Sequence, residues 1–198
     1  MLRLGFLASR NGTAMRAILE AMARGELAAE PRIVVSNNRQ APALAHAAAL
    51  GVPTAWIPTK DDPAAADVAL TQAMSAAGVE LVVLSGYLRK LGPVFLERFR
   101  GRVLNIHPGP LPAFGGQGMY GRRVHEAVIA SGVAESGAVI HLVDGEYDQG
   151  PEIARISAPV LPGDTAETLE ARITALEPDF YVRTLQEIAE GRRRLPVV

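Results

Sequence analysis

The sequence contains no cysteine among its 198 residues. This excludes a disulfide framework, a thiol nucleophile and a metal site built from cysteine ligands. A strong excess of one charge is also missing: the formal net charge is −1, which argues against nucleic-acid and membrane-surface partners. No apolar run approaches the length of a membrane span, and the N-terminal apolar run is too short for a secretory signal. We therefore expect a cytoplasmic protein.

The composition that remains is that of an ordinary globular chain, with 48% hydrophobic and 21% charged residues. The length predicts a single domain over residues 1–198 that can bury a substantial core. We divide it into a first half (1–100), a second half (101–191) and a solvated tail (192–198).

Strand and helix patterns alternate over the first half of the chain, with short connections rich in glycine and proline. The predicted strands are 2–8, 31–38, 52–59, 79–86 and 102–107. The predicted helices between them are 13–25, 41–51, 63–78 and 93–101. This alternation predicts an α/β fold with a mostly parallel, doubly wound sheet and helices on both faces.

The pattern changes after residue 107, where a long loop rich in glycine and proline begins. The predicted elements are a loop (108–121), a helix (122–132), two strands that pair as an antiparallel hairpin (136–144 and 152–160) and a long final helix (165–191). Thr165 is the expected N-cap of that helix, and Pro178 predicts a break or kink within it.

The stretch "RVLNIHPGPLP" (102–112) carries the first chemical signal. Side chains alternate along a strand, so Val103, Asn105 and His107 share one face, while Leu104 and Ile106 share the other. Two polar side chains thus stand together at the carboxyl end of a strand, where open α/β sheets bind their ligands. The alternative interpretation is two hydrogen-bonded polar residues without a catalytic role.

The first turn, "ASRNGTAM", carries a second signal. Asn11, Gly12 and Thr13 lie where the first strand passes into the first helix. Free amides at that helix start favour an anion, and glycine allows a phosphate to approach the backbone closely. An ordinary helix cap and turn is the alternative.

The acidic loop "DGEYDQG" (144–150) places three carboxylates at alternate positions, Asp144, Glu146 and Asp148. It departs from a calcium loop, because Gln149 stands where glycine is required. We expect one of these carboxylates to orient His107, as a base requires an orienting group.

Two further patterns are weaker. His107, His125, His141 and an aspartate lack the sequence spacing of a zinc site, and His141 is read as a second polar contact or a core histidine. The glycines Gly116, Gly118 and Gly121 match G-x-G-x-x-G, but no strand directly precedes them, so a mobile lid is the better interpretation.

Taken together, these segments resemble the formyltransferases that use 10-formyltetrahydrofolate, and among them the phosphoribosylglycinamide (GAR) formyltransferases. "NIHPGPLP" followed by "SGAVIHLVDGEYDQGP" is similar to the family pattern Asn-x-His-Pro-x-x-Leu-Pro and His…Asp-x-Gly-Pro. "GFLASRNGTAMRAIL" resembles the phosphate loop, and "LSGYLRKL" resembles a segment that lines the folate pocket. The resemblance extends from residue 1 to about 191, and it implies a phosphate-binding half over 1–100 and a catalytic and folate-binding half over 101–191.

The resemblance implies transfer of a formyl group from 10-formyltetrahydrofolate to the amine of GAR in purine synthesis, without a metal. It implies that Asn105 and a protonated His107 stabilise the oxyanion, while His107 and Asp148 move protons through a water. It also implies contacts to the two substrates. The GAR contacts would be Gly12, Thr13, Ala14, Gly86 and Glu177. The folate contacts would be Leu88, Arg89, Lys90, Leu91, Asp144 and Tyr147.

The chain departs from the family pattern in three places. The loop after His107 is longer and richer in glycine than in the family. The family has an arginine near residue 63, where this chain has Pro63, and Lys60 is the nearby cation. At the phosphate loop, "GTA" replaces the commoner Gly-Ser-Asn.

Other functions remain open. Methionyl-tRNA formyltransferases and formyltetrahydrofolate deformylases share the core but carry additional domains, for which we expect no room here. A formyltransferase acting on another amine, such as an amino sugar nucleotide, and a non-catalytic folate- or phosphate-binding module are the alternatives. Monomer and homodimer are both compatible with the sequence.

Overall fold

A computed structural model describes residues 1–197 and contains seven strands. They are β1 (Leu2–Leu7), β2 (Ala29–Ser36), β3 (Thr54–Trp56), β4 (Leu81–Leu84), β5 (Val103–His107), β6 (Glu135–Leu142) and β7 (Glu152–Pro159). All belong to one sheet in the order β3-β2-β1-β4-β5-β6-β7. Strands β1 to β5 pair in parallel, and β6 and β7 pair antiparallel. The mostly parallel sheet and the C-terminal hairpin are thus confirmed.

Six helices cover both faces of this sheet. They are α1 (Thr13–Ala23), α2 (Pro42–Ala49), α3 (Pro63–Ala76), α4 (Pro93–Arg98), α5 (Arg122–Ser131) and α6 (Ala166–Ala189). Buried side chains of α1, α2, α5 and α6 join one hydrophobic core, and those of α3 and α4 join a second core on the opposite face. Strands buried on both faces explain why runs such as β4 are apolar throughout.

The chain reverses its direction of travel across the sheet between β1 and β4. Strands β2 and β3 lie on one side of β1, while β4 and β5 lie on the other. The connections from these two neighbours therefore diverge and leave a crevice at the carboxyl ends of the strands, where such sheets bind ligands.

Helix α4 begins beside a buried carboxylate of helix α3. The two side-chain oxygens of Asp67 accept hydrogen bonds from the amides of Val94 and Phe95, at 2.9 and 3.1 Å. A Cβ atom at Gly92 would lie only 2.2 Å from that carboxylate. Asp67 thus caps a second helix, and the close approach requires glycine at position 92.

Two predicted elements differ in extent from those in the structure. Strand β3 covers only Thr54–Trp56, because Pro53 and Pro58 lack the amide donors that would extend its ladder. Helix α6 is unbroken across Pro178, because Phe180, Tyr181 and Leu185 beyond the proline are buried in the core.

The tail is not simply solvated. Arg193 donates to the carboxylate of Glu187 at 2.7 Å and to the carbonyl oxygen of Ile153, and Leu195 packs against the core. Val198 lies outside the described residues. Among residues 1–197, no helix combines the length and apolar character that crossing a bilayer requires.

Candidate active site

The carboxyl end of β5 presents the two polar residues that the sequence singled out. Val103 lies in the core beside α3 and α4, and Leu104 lies in the opposite core, so the side chains alternate as expected. Asn105 is half-buried, whereas His107 is only 2% exposed. The strand therefore carries an amide and an imidazole on one face at the edge of the crevice.

Asp148 reaches both neighbouring imidazoles from the loop between β6 and β7. Its Oδ2 lies 3.5 Å from Nδ1 of His107, and its Oδ1 lies 3.4 Å from Nε2 of His141. The amide of Gly116 donates to Oδ2 at 3.0 Å. Asp148 itself has a left-handed backbone with φ of 56°, a conformation that aspartate adopts more readily than most residues and that is common at functional sites.

The hydrogen bonds of His107 define its protonation. Nε2 lies 2.7 Å from the carbonyl oxygen of Phe114, and a carbonyl only accepts, so Nε2 carries a hydrogen. In the neutral ring Nδ1 is then unprotonated and faces Asp148. Taking up a proton at Nδ1 converts this approach into an ion pair.

His141 holds the Asn105 amide through the register of β5 and β6, which places the two residues opposite each other. Nδ1 of His141 lies 2.8 Å from the carbonyl oxygen of Leu142 and therefore donates to it. In the neutral ring Nε2 accepts from Nδ2 of Asn105 at 3.2 Å. One of the two amide hydrogens of Asn105 remains for a ligand.

Burial lowers the pKa of His107, and the neighbouring Asp148 carboxylate offsets this only in part. This direction favours the neutral imidazole, whereas the resemblance implies a protonated ring when the oxyanion forms. Burial also opposes ionisation of Asp148, but the amide of Gly116 and the two neighbouring imidazoles outweigh it and hold the pKa of Asp148 below its ordinary value. Asp148 therefore stays ionised and can accept a proton.

A cavity of about 90 Å³ opens beside Asn105, His141 and Asp148. It adjoins a wider cleft of about 550 Å³, with which it shares Lys90, Glu146 and Tyr147. Of the predicted folate contacts, five line the smaller cavity: Arg89, Lys90, Leu91, Asp144 and Tyr147. The sixth, Leu88, has a side chain that is half exposed and an amide bonded to Ser9.

The predicted phosphate loop lies at the crevice between β1 and β4. Gly12 is the N-cap of α1 and has a left-handed backbone with φ of 61°. Within residues 1–197, no acceptor bonds the amides of Gly12, Thr13 and Ala14. Three free amides at a helix start form a site suited to an anion.

The two remaining predicted GAR contacts are Gly86 after β4 and Glu177 on α6. Gly86 directly follows β4, and its carbonyl oxygen accepts the amide of Ser9 at 3.2 Å. Glu177 lies on α6, which packs against α1. Burial raises the pKa of Glu177 to about 7, so this carboxyl changes charge near neutral pH.

Several residues of the site were not predicted. Val143 also lines the small cavity, together with Tyr87 from the predicted folate segment and Glu146 from the acidic loop. Burial raises the pKa of Tyr87 to about 12. Phe114 and Gly116 act through backbone atoms, for which the sequence carries no direct signal. Among residues 1–197, no group of three or more histidine, aspartate or glutamate residues is arranged to hold a metal ion.

Comparisons with known proteins identify the family. The family described as Formyl transferase matches residues 2–185. The phosphoribosylglycinamide formyltransferase of Mycobacterium tuberculosis (strain H37Rv) is 42% identical over 189 residues, covering 94% of this chain and 85% of the relative. The chloroplastic enzyme of that name from Vigna unguiculata is 38% identical over 192 residues, covering 96% of this chain.

The chain spans 62% of the Vigna unguiculata protein and 66% of a similar Arabidopsis thaliana protein. The crystal structure of glycinamide ribonucleotide transformylase 1 from Symbiobacterium toebii superposes with a TM-score of 0.89 at 35% identity, covering 100% of this chain and 94% of that one. The match extends over nearly the whole sequence and over the whole fold, and the chain therefore belongs to the formyl transferase family.

Proposed function

We propose that this protein transfers the formyl group of 10-formyltetrahydrofolate to the amine of GAR, in the synthesis of purines. The observation that carries the proposal is the convergence of Asn105, His107 and Asp148 beside a cavity, next to a helix start with free amides. A formyl donor and a phosphorylated amine are the two kinds of substrate that such a site can bring together. The names of the relatives support the same reaction.

The two substrates divide the crevice between them. The GAR phosphate binds the amides of Gly12, Thr13 and Ala14, where the helix dipole adds to the attraction. Glu177 and Gly86 contact the rest of GAR. The folate occupies the cavity beside Arg89, Lys90 and Leu91, with its other wall formed by the loop that carries Asp144 and Tyr147.

The chemistry is a direct transfer through a tetrahedral intermediate. The amine nitrogen of GAR forms a bond to the formyl carbon, and the electron pair of the carbonyl moves to its oxygen. Asn105 donates its free amide hydrogen to that oxyanion. The bond between the formyl carbon and the folate nitrogen then breaks, and the carbonyl forms again in the product.

Proton movement balances the reaction. The attacking amine loses a proton, and the leaving folate nitrogen gains one. Asp148 is ionised and accepts the first proton through a water. Once the Phe114 carbonyl releases the Nε2–H group of His107, this group donates its proton to the folate nitrogen. Asp148 passes the proton it accepted to Nδ1 of His107, which faces it at 3.5 Å, so the ring ends neutral and the carboxylate ionised. The loop 108–121 thus acts as a lid whose position controls access to His107.

The test is formyl transfer with purified protein, GAR and 10-formyltetrahydrofolate, followed by the absorbance of deformylated folate. We expect turnover in the wild type and a loss of roughly 10²–10⁴ in kcat for Asp148→Asn. Asp61→Asn, at an exposed site, is the matched control and keeps wild-type activity.

Other outcomes would redirect the proposal. Folate release that needs no GAR identifies a deformylase. Activity with an amino sugar nucleotide but not with GAR keeps the chemistry and overturns the substrate. Binding of both ligands with no turnover identifies a non-catalytic module.

A further inference from the structure

Two buried serines connect the segments that flank the crevice. Ser9 follows β1 and is 4% exposed, and Ser85 follows β4 and is 3% exposed. The oxygen of Ser85 accepts the amide of Met15 in the first turn of α1 at 3.0 Å. The oxygen of Ser9 accepts the amide of Leu88 at 2.9 Å. Each serine thus holds the segment that follows the other strand.

The hydroxyl of Ser85 caps the start of α1, which has no capping side chain of its own. Gly12 is the N-cap of α1 and has no side chain to accept an amide. The hydroxyl of Ser85 takes this role from another strand, 70 residues away, and bonds the third helical amide. The amides of Thr13 and Ala14 precede it and stay free for an anion.

The contact of Ser9 fixes the segment on the folate side. Its hydroxyl donates to Oδ1 of Asn37 at 2.6 Å, so the lone pair that accepts the Leu88 amide has a defined direction. The amide of Ser9 donates to the carbonyl oxygen of Gly86 at 3.2 Å. Residues 86–91 are therefore tied to the phosphate loop at two points through one buried residue.

We propose that Ser9 and Ser85 are positioning residues that couple the phosphate loop to the segment 86–91, so that a ligand on either side favours binding of a ligand on the other. This inference rests on the proposed function, which assigns GAR to the first loop and folate to the second segment. Neither hydroxyl touches the reacting atoms. An anion bound to the α1 amides fixes the position of the loop from Ser9 to Met15. Through the hydrogen bonds of Ser9 and Ser85, this also fixes the position of Leu88.

Coupling of this kind is reciprocal and measurable. Tetrahydrofolate lacks the formyl group, so it binds with GAR without reaction. We expect saturating tetrahydrofolate to tighten GAR binding by about fivefold in the wild type, and GAR to tighten tetrahydrofolate binding by the same factor. Calorimetry at constant pH measures both affinities.

Three variants test the role of the serines. The coupling factor is the ratio of the GAR affinities with and without saturating tetrahydrofolate. Ser9→Ala and Ser85→Ala are expected to reduce this factor to about one, while kcat at saturation of both substrates stays within about threefold of wild type. Asn37→Ala removes only the acceptor that orients Ser9, and we expect a partial loss. Ser136→Ala is the matched control, since Ser136 is 2% exposed and its hydroxyl has no partner within residues 1–197.

The outcomes separate this inference from the proposed function. If GAR and tetrahydrofolate do not bind the wild type, the proposed function is wrong and the coupling is wrong with it. If both bind but the wild-type factor is one, or Ser9→Ala and Ser85→Ala keep the wild-type factor, only the coupling is wrong. If Ser136→Ala lowers the coupling factor as much as Ser9→Ala does, the coupling is also wrong, because the effect would then not depend on the hydrogen bonds of Ser9 and Ser85.

Discussion

The carbonyl oxygen of Phe114 accepts the Nε2–H group of His107 at 2.7 Å. Two residues later, the amide of Gly116 donates to Asp148 at 3.0 Å. The loop 108–121 therefore holds both side chains of the proposed acid–base pair through backbone atoms. A change in the loop that leaves every catalytic side chain in place should still alter the chemistry.

Gly115→Ala is expected to reduce kcat/KM by roughly tenfold to a hundredfold, as misplacement of reacting groups by about 1 Å does. The added Cβ would lie 2.4 Å from Cδ2 of Leu111 and 3.0 Å from Cβ of Asp148, so the loop must move away from the carboxylate. Steady-state kinetics measures the effect. Ala113→Ser, at an exposed position of the same loop, should keep wild-type kinetics. Equal activity in both variants would show that the loop does not hold the acid–base pair in place.

Asn105→Ala is expected to lower kcat by roughly 10²–10³, the usual loss for one oxyanion donor, with little change in either KM. The variant also leaves Nε2 of His141 without its donor at 3.2 Å. The thermal unfolding midpoint, measured alongside, separates loss of chemistry from loss of fold. A rise in KM with unchanged kcat would instead assign Asn105 to substrate binding.

The alternation along β5 was predictable because a strand has a period of two, and both cores confirm it. The hydrogen-bond partners of the site residues could not be predicted, because they come from distant parts of the chain. His141 meets Asn105 through the antiparallel register of β5 and β6, and Ser9 meets Leu88 across 79 positions. Single-sequence patterns report local periodicity and carry no register between strands.

At Pro178 the predicted break is wrong, and here the distant contacts outweigh the local signal. Local chemistry predicted a break or kink there, since proline removes one helical amide. The helix continues because its later turns bury Phe180, Tyr181 and Leu185. Tertiary burial over several turns outweighs the loss of one backbone hydrogen bond, and only the packed structure reveals this balance.

Asp67→Ala is expected to destabilise the fold by roughly 1–3 kcal/mol, because it leaves the amides of Val94 and Phe95 without their acceptors at a partly buried helix start. Urea unfolding measures the change. Asp62→Ala removes the N-cap of α3, whose side chain accepts the amide of Ala65 at an exposed site, and about 1 kcal/mol is expected there. A smaller loss for Asp67→Ala than for Asp62→Ala would contradict the capping of α4.

Glu177→Gln should change how stability depends on pH. Burial raises the pKa of Glu177 to about 7 in the folded protein, whereas an unfolded glutamate titrates near its ordinary value of about 4.3. The folded state therefore binds more protons than the unfolded state between these values. The wild type loses this contribution as pH rises from the unfolded pKa through about 7, and the glutamine variant has no such group to lose.

The expected result is that Glu177→Gln gains stability relative to the wild type, by roughly 1–3 kcal/mol, when pH rises from 4.5 to 8. Urea unfolding of both proteins at the two pH values measures this difference, in which every group common to both cancels. Glu187→Gln is the control on the same helix, and its carboxylate pairs with Arg193. A stability difference between wild type and Glu177→Gln that is the same at pH 4.5 and 8 would show that Glu177 has the same pKa in the folded and the unfolded protein, which would contradict a pKa raised by burial.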